Sequence, residues 1–239
     1  MNRGNLFKSL FVLSAAVLAV ALTYAAQAAS TYYIDPSQVD LVHVLAPPPA
    51  PDTDESQADL AAVRAAQASR TDDEVKSAQA DARETVFRFA DVMGPEFKPE
   101  NLPFATTFFN NVRVDDEQAI ALAKLHFNRS RPFVVDPEIK PVVAQPANAS
   151  YPSGHSTFAY VNAILLADMV PENAAAIFKR AAVFAHNRVI AGVHFPTDIE
   201  AGRIAGATID NVLLHEPRFM VDFAKARAEV RHVLGLPDN

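Results

Sequence analysis

Cations and histidines gather in three short segments of this otherwise acidic chain. The first reads Lys124-x6-Arg131-Pro132, and its two cations are seven residues apart, which is nearly two helical turns. The sequence predicts a helix from about Asp115 to Arg131, ended by Pro132, with both cationic side chains on one face. Taken alone, this segment is explained better as solvated charges beside Arg129.

The second segment reads Tyr151-Pro152-Ser153-Gly154-His155 and precedes an apolar run. Proline, serine and glycine in this position predict the N-terminus of a helix. The unpaired backbone N–H groups of such an end attract anions, and Gly154 would let an anion approach the backbone closely. His155 could donate a proton there. The alternative is an ordinary capped helix with an incidental histidine.

The third segment reads Asn187-Arg188-x5-His194-x3-Asp198. Pro196 is expected to begin a new helix, from which Asp198 could reach back toward His194. A carboxylate bonded to one imidazole nitrogen fixes the tautomer and leaves the other nitrogen free as a nucleophile. A single histidine near an apolar stretch is usually a core residue, but the nearby carboxylate and arginine favour a catalytic role.

Together, the three segments supply what phosphoryl transfer without a metal ion requires. The three cations would neutralise the phosphoryl oxygens, one histidine would attack phosphorus in line, and the other would protonate the leaving oxygen. No aspartate or histidine cluster has convincing metal-ligand spacing, so we expect no catalytic metal and no cofactor.

The composition of the 239-residue chain favours a packed helical protein, since it is 50% hydrophobic and contains only seven glycines. The net charge of −7 disfavours nucleic acid and anionic lipid as partners. The absence of cysteine excludes disulfides, thiolate metal sites and a cysteine nucleophile.

Residues 1–28 predict a signal peptide. Arg3 and Lys8 give a basic start, an apolar stretch follows, and Ala26-Gln27-Ala28 is the pattern that a signal peptidase cuts. Cleavage after Ala28 would leave a periplasmic or secreted protein with no stable membrane insertion. The alternative is an uncleaved membrane anchor.

The remaining chain is predicted to form an arm and one domain. Residues 29–51 read as a proline-rich extended arm that lies on the domain or on a partner subunit. Residues 52–239 are expected to form an all-α, single-domain bundle of about seven to nine helices.

Capping-box patterns predict where two of these helices begin. The patterns are Asp52-x-x-Glu55 and Thr71-x-x-Glu74. Apolar positions at helical spacing predict that the second helix continues until Gly94.

The order Lys-x6-Arg-Pro, Pro-Ser-Gly-His, Arg-x5-His-x3-Asp resembles the signature of the type 2 phosphatidic acid phosphatase superfamily, which includes vanadium haloperoxidases. The signal peptide, the Leu45–Pro49 arm and the Ala149–His155 run are similar to the secreted bacterial class A nonspecific acid phosphatases. The resemblance implies the superfamily's all-α bundle, a homo-oligomer, and a phosphoric monoester hydrolase acting on small phosphorylated substrates with broad specificity.

The same resemblance implies a role for each site residue. His194 would form a phosphohistidine, Asp198 would orient it, and His155 would act first as general acid and then as the base that activates water. The phosphate would be bound by Lys124, Arg131, Ser153, Gly154 and Arg188.

One position departs from the pattern, because Asn187 stands where the family usually has serine. This change leaves local packing and substrate preference open. Three alternative functions remain: a vanadate-dependent haloperoxidase, a phosphatase for soluble lipid headgroups, and a phosphate-binding protein without activity.

Overall fold

Helices are the only regular elements in residues 31–237, the part of the chain that the computed structural model describes. The α-helices are α1 (Leu41–Val44), α2 (Asp54–Ser69), α3 (Asp72–Ala80), α4 (Ala90–Met93), α5 (Pro103–Phe127), α6 (Pro132–Val135), α7 (Gly154–Met169), α8 (Ala174–Ile190), α9 (Pro196–Leu213) and α10 (Pro217–Val233). Short 3-10 turns occur at Pro36–Gln38, Val86–Phe89 and Pro171–Asn173. The predicted all-α fold is confirmed. The predicted signal peptide lies outside the described residues.

Helix α7 occupies the centre of the bundle, where it packs against both α8 and α9. Its side chains are apolar nearly all round, and Val161, Ala163, Leu165 and Leu166 have no exposed surface. Burial of each such valine or leucine stabilises the fold by about 1.5–3 kcal/mol. The N-terminus of α7, which carries the second predicted segment, is therefore held firmly in place.

The start of α9 lies against the N-terminus of α7 at Gly202. A Cβ atom at Gly202 would lie 2.6 Å from the carbonyl oxygen of Ser153 and 2.7 Å from the Cβ of Ser156. The backbone N–H of Ser153 also donates to the carbonyl of Asp198 at 3.0 Å. Only glycine permits this approach, which brings the second and third predicted segments together.

The described part of the N-terminal arm, residues 31–51, lies along α5. The carboxylate of Asp115 accepts hydrogen bonds from the backbone N–H groups of Tyr32, Tyr33 and Ile34, at 2.7, 2.9 and 3.4 Å. The arm is not extended throughout, because a 3-10 turn and α1 interrupt it.

The helix predicted to run from Thr71 to Gly94 is shorter than its apolar spacing indicates. Thr71 and Glu74 form the predicted capping box, but α3 ends at Ala80 and the next turn begins at Val86. The break occurs at Asp81, whose fully buried carboxylate needs several hydrogen-bond donors. The donors are Arg88, Arg180 and Asn187.

The helix predicted from Asp115 to Arg131 is α5, and both of its predicted ends are wrong. It begins earlier, with Pro103 in its first turn, and it ends at Phe127 because Asn128 adopts a left-handed conformation with φ of 42°. Arg131 instead precedes α6. The two cations of the first segment therefore do not share one helix face.

Helix α2 begins with a different cap from the predicted one. The hydroxyl of Thr53 accepts the N–H of Ser56 at 3.2 Å, and Asp52 precedes it with φ of 65°. The prediction that Asp52 and Glu55 form the capping box is wrong, because the threonine one residue later provides the acceptor.

Candidate active site

A pocket of about 700 Å³ opens where the C-terminal end of α5, the N-terminus of α7 and the loop after α8 meet. Six of the predicted site residues line it: Lys124, Arg131, Gly154, His155, Arg188 and His194. The two others, Ser153 and Asp198, are fully buried beside the pocket. The three segments that the sequence singled out therefore form one site.

His194 is held by hydrogen bonds on both sides of its ring. Its Nδ1 atom lies 3.3 Å from Oδ2 of Asp198, and its Nε2 atom lies 3.1 Å from an Nη atom of Arg131. Because a carboxylate only accepts and a guanidinium only donates, the proton belongs on Nδ1 and the lone pair on Nε2. This is the tautomer that a nucleophilic Nε2 requires.

The loop before His194 is short, and its backbone conformation requires glycine at position 192. Gly192 has φ of 74°, and a Cβ atom there would lie 3.0 Å from Cγ2 of Ile139. The backbone N–H groups of Val193 and His194 both donate to the carbonyl of Arg188, at 3.1 and 3.3 Å. The backbone of His194 is thus tied directly to that of Arg188.

The carboxylate of Asp198 is fully buried and has several donors. Oδ2 accepts the hydroxyl of Ser150 at 2.5 Å and the backbone N–H of Phe195 at 2.8 Å, and Oδ1 accepts Arg129 at 2.6 Å. Burial alone would raise the pKa of Asp198, but the His194 hydrogen bond and the Arg129 charge lower it to about 2. Asp198 is therefore an anion at acidic pH.

The alternative that Lys124 and Arg131 are solvated charges is wrong, since both are buried, and Arg129, to which no role was assigned from the sequence, is largely buried beside them. Its side chain is only 9% exposed, and it joins Asp198 to Asp59 at 2.8 Å while lying 4.1 Å from the centre of the Phe195 ring. Arg129 and Ser150 were both missed as site residues. Arg129 lies two residues before Arg131 of the first segment, and Ser150 immediately precedes the Tyr151–His155 segment.

The three predicted phosphate-binding cations differ in how they are held. Lys124 donates to the carbonyls of Ala149 and Pro152, at 2.8 and 2.6 Å. Arg131 donates to the carbonyls of Asn148 and Val193, both at 2.8 Å. These backbone acceptors carry no charge, so they orient the cations without neutralising them.

Arg188 is only 2% exposed, yet its Nε and Nη1 atoms have no hydrogen-bond partner among the described residues. An unpaired buried donor is costly unless a ligand satisfies it. Burial, which outweighs the charge of Glu84, lowers the pKa of Arg188 to about 10, so the side chain stays cationic. The pocket therefore contains an unsatisfied cation with donors available for an anion.

Two further pKa values are strongly affected in the pocket. Burial, together with the charge of Arg131, lowers the pKa of Lys124 to about 7. Burial also holds the pKa of His194 well below its usual range, against the opposing effect of Asp198. The neutral form of His194, which a nucleophile requires, is therefore favoured.

His155 lies at the wall of the pocket with both ring nitrogens engaged. Nδ1 lies 2.9 Å from Oε1 of Glu84, and Nε2 lies 3.1 Å from the carbonyl oxygen of Ala82. Glu84, which also lines the pocket, was missed because it fell within a predicted helix.

Ser153 and Gly154 begin α7 as predicted. The hydroxyl of Ser153 accepts the N–H of Ser156 at 3.3 Å, so this side chain serves as the helix cap. Gly154 lines the pocket, which places the amide end of α7 beside the cations.

Asn187 is directed away from the pocket. Its side-chain nitrogen donates to Asp81 at 2.7 Å and to Ser77 at 3.0 Å. The residue is buried and does not line the pocket. The departure from the family serine therefore affects the packing of α3 against α8.

Residues 31–237 contain neither a cluster suited to a metal ion nor a helix suited to crossing a membrane. No group of three or more histidine or acidic side chains is arranged to hold a metal ion there. No helix in the same range combines the length and the apolar character that a bilayer crossing would need.

Comparisons with known proteins agree with the geometry. The sequence profile of the PAP2 superfamily matches residues 105–218. The chain is 30% identical, over 93% of both sequences, to a non-specific acid phosphatase of Salmonella typhimurium. It is 29% identical to an acid phosphatase of Zymomonas mobilis over 59% of this chain and 55% of that protein. The crystal structure of a bacterial vanadium-dependent iodoperoxidase has the same fold, with a TM-score of 0.57 and 19% identity. The match covers 72% of this chain and 52% of the iodoperoxidase chain.

Proposed function

The chain belongs to the PAP2 superfamily and is an acid phosphatase that hydrolyses phosphomonoesters, and on this basis we propose a metal-independent, two-step mechanism through a phosphohistidine. The observation that carries the proposal is that the unsatisfied Arg188 guanidinium and the Nε2 atom of His194 lie in the same pocket. A bound anion would accept hydrogen bonds from Arg188, and Nε2 of His194 would attack the phosphorus atom of a bound ester.

In the first step, the phosphoryl group lies among the cations and the amide end of α7. Nε2 of His194 gives up its hydrogen bond from Arg131 and attacks phosphorus, and His155 gives its proton to the leaving oxygen as the ester bond breaks. Charge developing on the phosphoryl oxygens is stabilised by Lys124, Arg131 and Arg188. Asp198 stabilises the positive charge that forms on the His194 ring.

In the second step, His155 acts as a base. It takes a proton from water while the water oxygen bonds to phosphorus and the bond between phosphorus and His194 breaks. Inorganic phosphate then leaves, and both histidines return to their starting states. The proton that His155 gives to the alcohol is thus replaced by the one it takes from water.

The specificity that we propose is broad. The atoms that hold the phosphoryl group come from charged and backbone groups deep in the pocket, whereas Ile120, Ala121 and Leu125 line its wall. Leu125 is 75% exposed, so the mouth of the pocket is open and partly apolar. We expect such an opening to accept alcohols of different sizes.

We also propose that the protein is exported and assembles as a homo-oligomer. Export is supported by the signal-peptide pattern of residues 1–28. An oligomer would add stability to a cysteine-free chain in an oxidising compartment.

Removal of metal ions should leave activity unchanged. The purified mature chain is expected to hydrolyse a panel of phosphomonoesters at equal rates before and after dialysis against EDTA, because the three cations perform the charge neutralisation. The control is a zinc-dependent alkaline phosphatase treated in parallel. Loss of turnover in EDTA, with recovery on adding one divalent metal, would refute the metal-independent mechanism.

Anion affinity should fall as pH rises through about 7, the pKa of Lys124. Above that value, binding must first restore a proton to the lysine, which weakens affinity by up to about tenfold per pH unit. Sulfate is the suitable competitive inhibitor because its charge stays constant between pH 6 and 9. Lys124→Arg keeps its charge in this range, so its sulfate inhibition constant should vary less with pH. Equal pH dependence in both proteins would contradict the assignment.

A further inference from the structure

Glu84 is a pocket carboxylate that has no role in the mechanism above. It lies in the irregular segment between α3 and the 3-10 turn at Val86–Phe89, where the buried contacts of Asp81 end the helix. Its side chain is 20% exposed, and its Oε1 atom lies 2.9 Å from Nδ1 of His155. The break in the helix therefore places a carboxylate directly on the second catalytic histidine.

The contacts of His155 define where its protons are. Nδ1 meets the carboxylate of Glu84, and Nε2 meets the carbonyl of Ala82. Both partners can only accept, so only the doubly protonated imidazolium satisfies both contacts. Glu84 and His155 both line the pocket, whereas Ala82 is outside its lining.

The charges around Glu84 keep it ionised beside this ring. Burial alone would raise the pKa of Glu84, but the hydrogen bond and charge of His155, aided by Arg113 and Arg188, lower it overall. A carboxylate anion at this position holds the ring of His155 by a charge-assisted hydrogen bond.

Building on the proposed function, we propose that Glu84 is a positioning residue that holds the His155 ring in place at the pocket while His155 gives a proton to the leaving oxygen. In the first step the N–H bond of His155 that reaches the leaving oxygen breaks, and an O–H bond forms on the departing alcohol. In the second step a proton from the attacking water re-forms that N–H bond. Glu84 takes up no proton in either step.

The test compares two esters that differ in their need for an acid. A dinitrophenolate leaves without protonation, whereas an alkoxide does not. We measure kcat/KM for 2,4-dinitrophenyl phosphate and glycerol 2-phosphate and take their ratio on each preparation, so the fraction of folded protein cancels. Glu84→Gln should raise the ratio about 10–100-fold, part of the roughly 10²–10⁴-fold effect of losing a general acid. The inhibition constant of phosphate should change far less.

The control is Glu117→Gln. Glu117 lines the same pocket, but it pairs with Arg113 and does not contact His155. Its substitution should change the ratio by less than about threefold, as expected for a partly exposed ion pair.

His155→Ala separates the two possible failures. If His155→Ala raises the ratio and Glu84→Gln lowers both rates equally or leaves them unchanged, the positioning role of Glu84 is wrong and the role of His155 stands. If His155→Ala itself leaves the ratio unchanged, His155 is not the general acid, and the inference falls together with that part of the proposed function.

Discussion

His194→Ala is expected to abolish phosphomonoester hydrolysis, with a loss of about 10⁵-fold or more in kcat. The variant lacks the only atom that accepts the phosphoryl group in the proposed mechanism, the Nε2 lone pair opposite Arg131. Arg188→Ala, which removes one of three cations, should leave a measurable remnant with a loss of about 10²–10³-fold. Steady-state hydrolysis of p-nitrophenyl phosphate measures both.

The matched control is His186→Ala, since His186 is an exposed histidine on α8 outside the pocket. It should retain the activity of the unmodified protein. Inorganic phosphate should still inhibit or bind the His194→Ala variant, because the cations remain. Hydrolysis by His194→Ala within tenfold of the unmodified rate would show that another group is the nucleophile.

Asp198→Asn is expected to lower kcat by about 10³–10⁴-fold, the cost seen when a carboxylate that orients a catalytic histidine becomes an amide. An asparagine can donate to Nδ1, which would move the ring proton to Nε2 and block the nucleophile. It would also lose the charge that stabilises the imidazolium formed on phosphorylation. The measurement is again kcat on p-nitrophenyl phosphate.

Asp59→Asn is the matched control for Asp198→Asn. Asp59 is the other carboxylate on Arg129, at 2.8 Å, but it does not contact His194. Thermal unfolding should show that both variants lose stability, because each weakens the buried Arg129 cluster. Only Asp198→Asn should lose most of its kcat. Equal kinetic losses would mean that Asp198 acts by supporting the fold alone.

The sequence was sufficient to predict most of the charged residues and histidines that come together in the pocket. Lys124, Arg131, Arg188 and His194 have residue types and spacings that few other functions require, and the structure brings them into one pocket. Their spacing did not predict the path of the backbone. Arg131 was placed on the helix of Lys124, whereas the chain leaves that helix at Asn128.

The missed residues have a common physical cause. Arg129, Ser150 and Glu84 act through hydrogen bonds to motif residues from separate parts of the chain. Periodicity reports which positions are apolar, so it extended a helix through Glu84. The buried carboxylate of Asp81, which ends that helix, takes its donors Arg180 and Asn187 from α8, and no local pattern near Asp81 contains this information.

The most direct test of the mechanism is to stop the reaction during turnover and look for phosphorus on the protein. The enzyme is mixed with an excess of a ³²P-labelled monoester, quenched in alkali, in which phosphohistidine survives, and digested for mass spectrometry. We predict one labelled peptide, with the phosphoryl group on the imidazole of His194 and no label in the His194→Ala variant. Label on a different residue, or full turnover with no label on His194 at any quench time, would contradict the account.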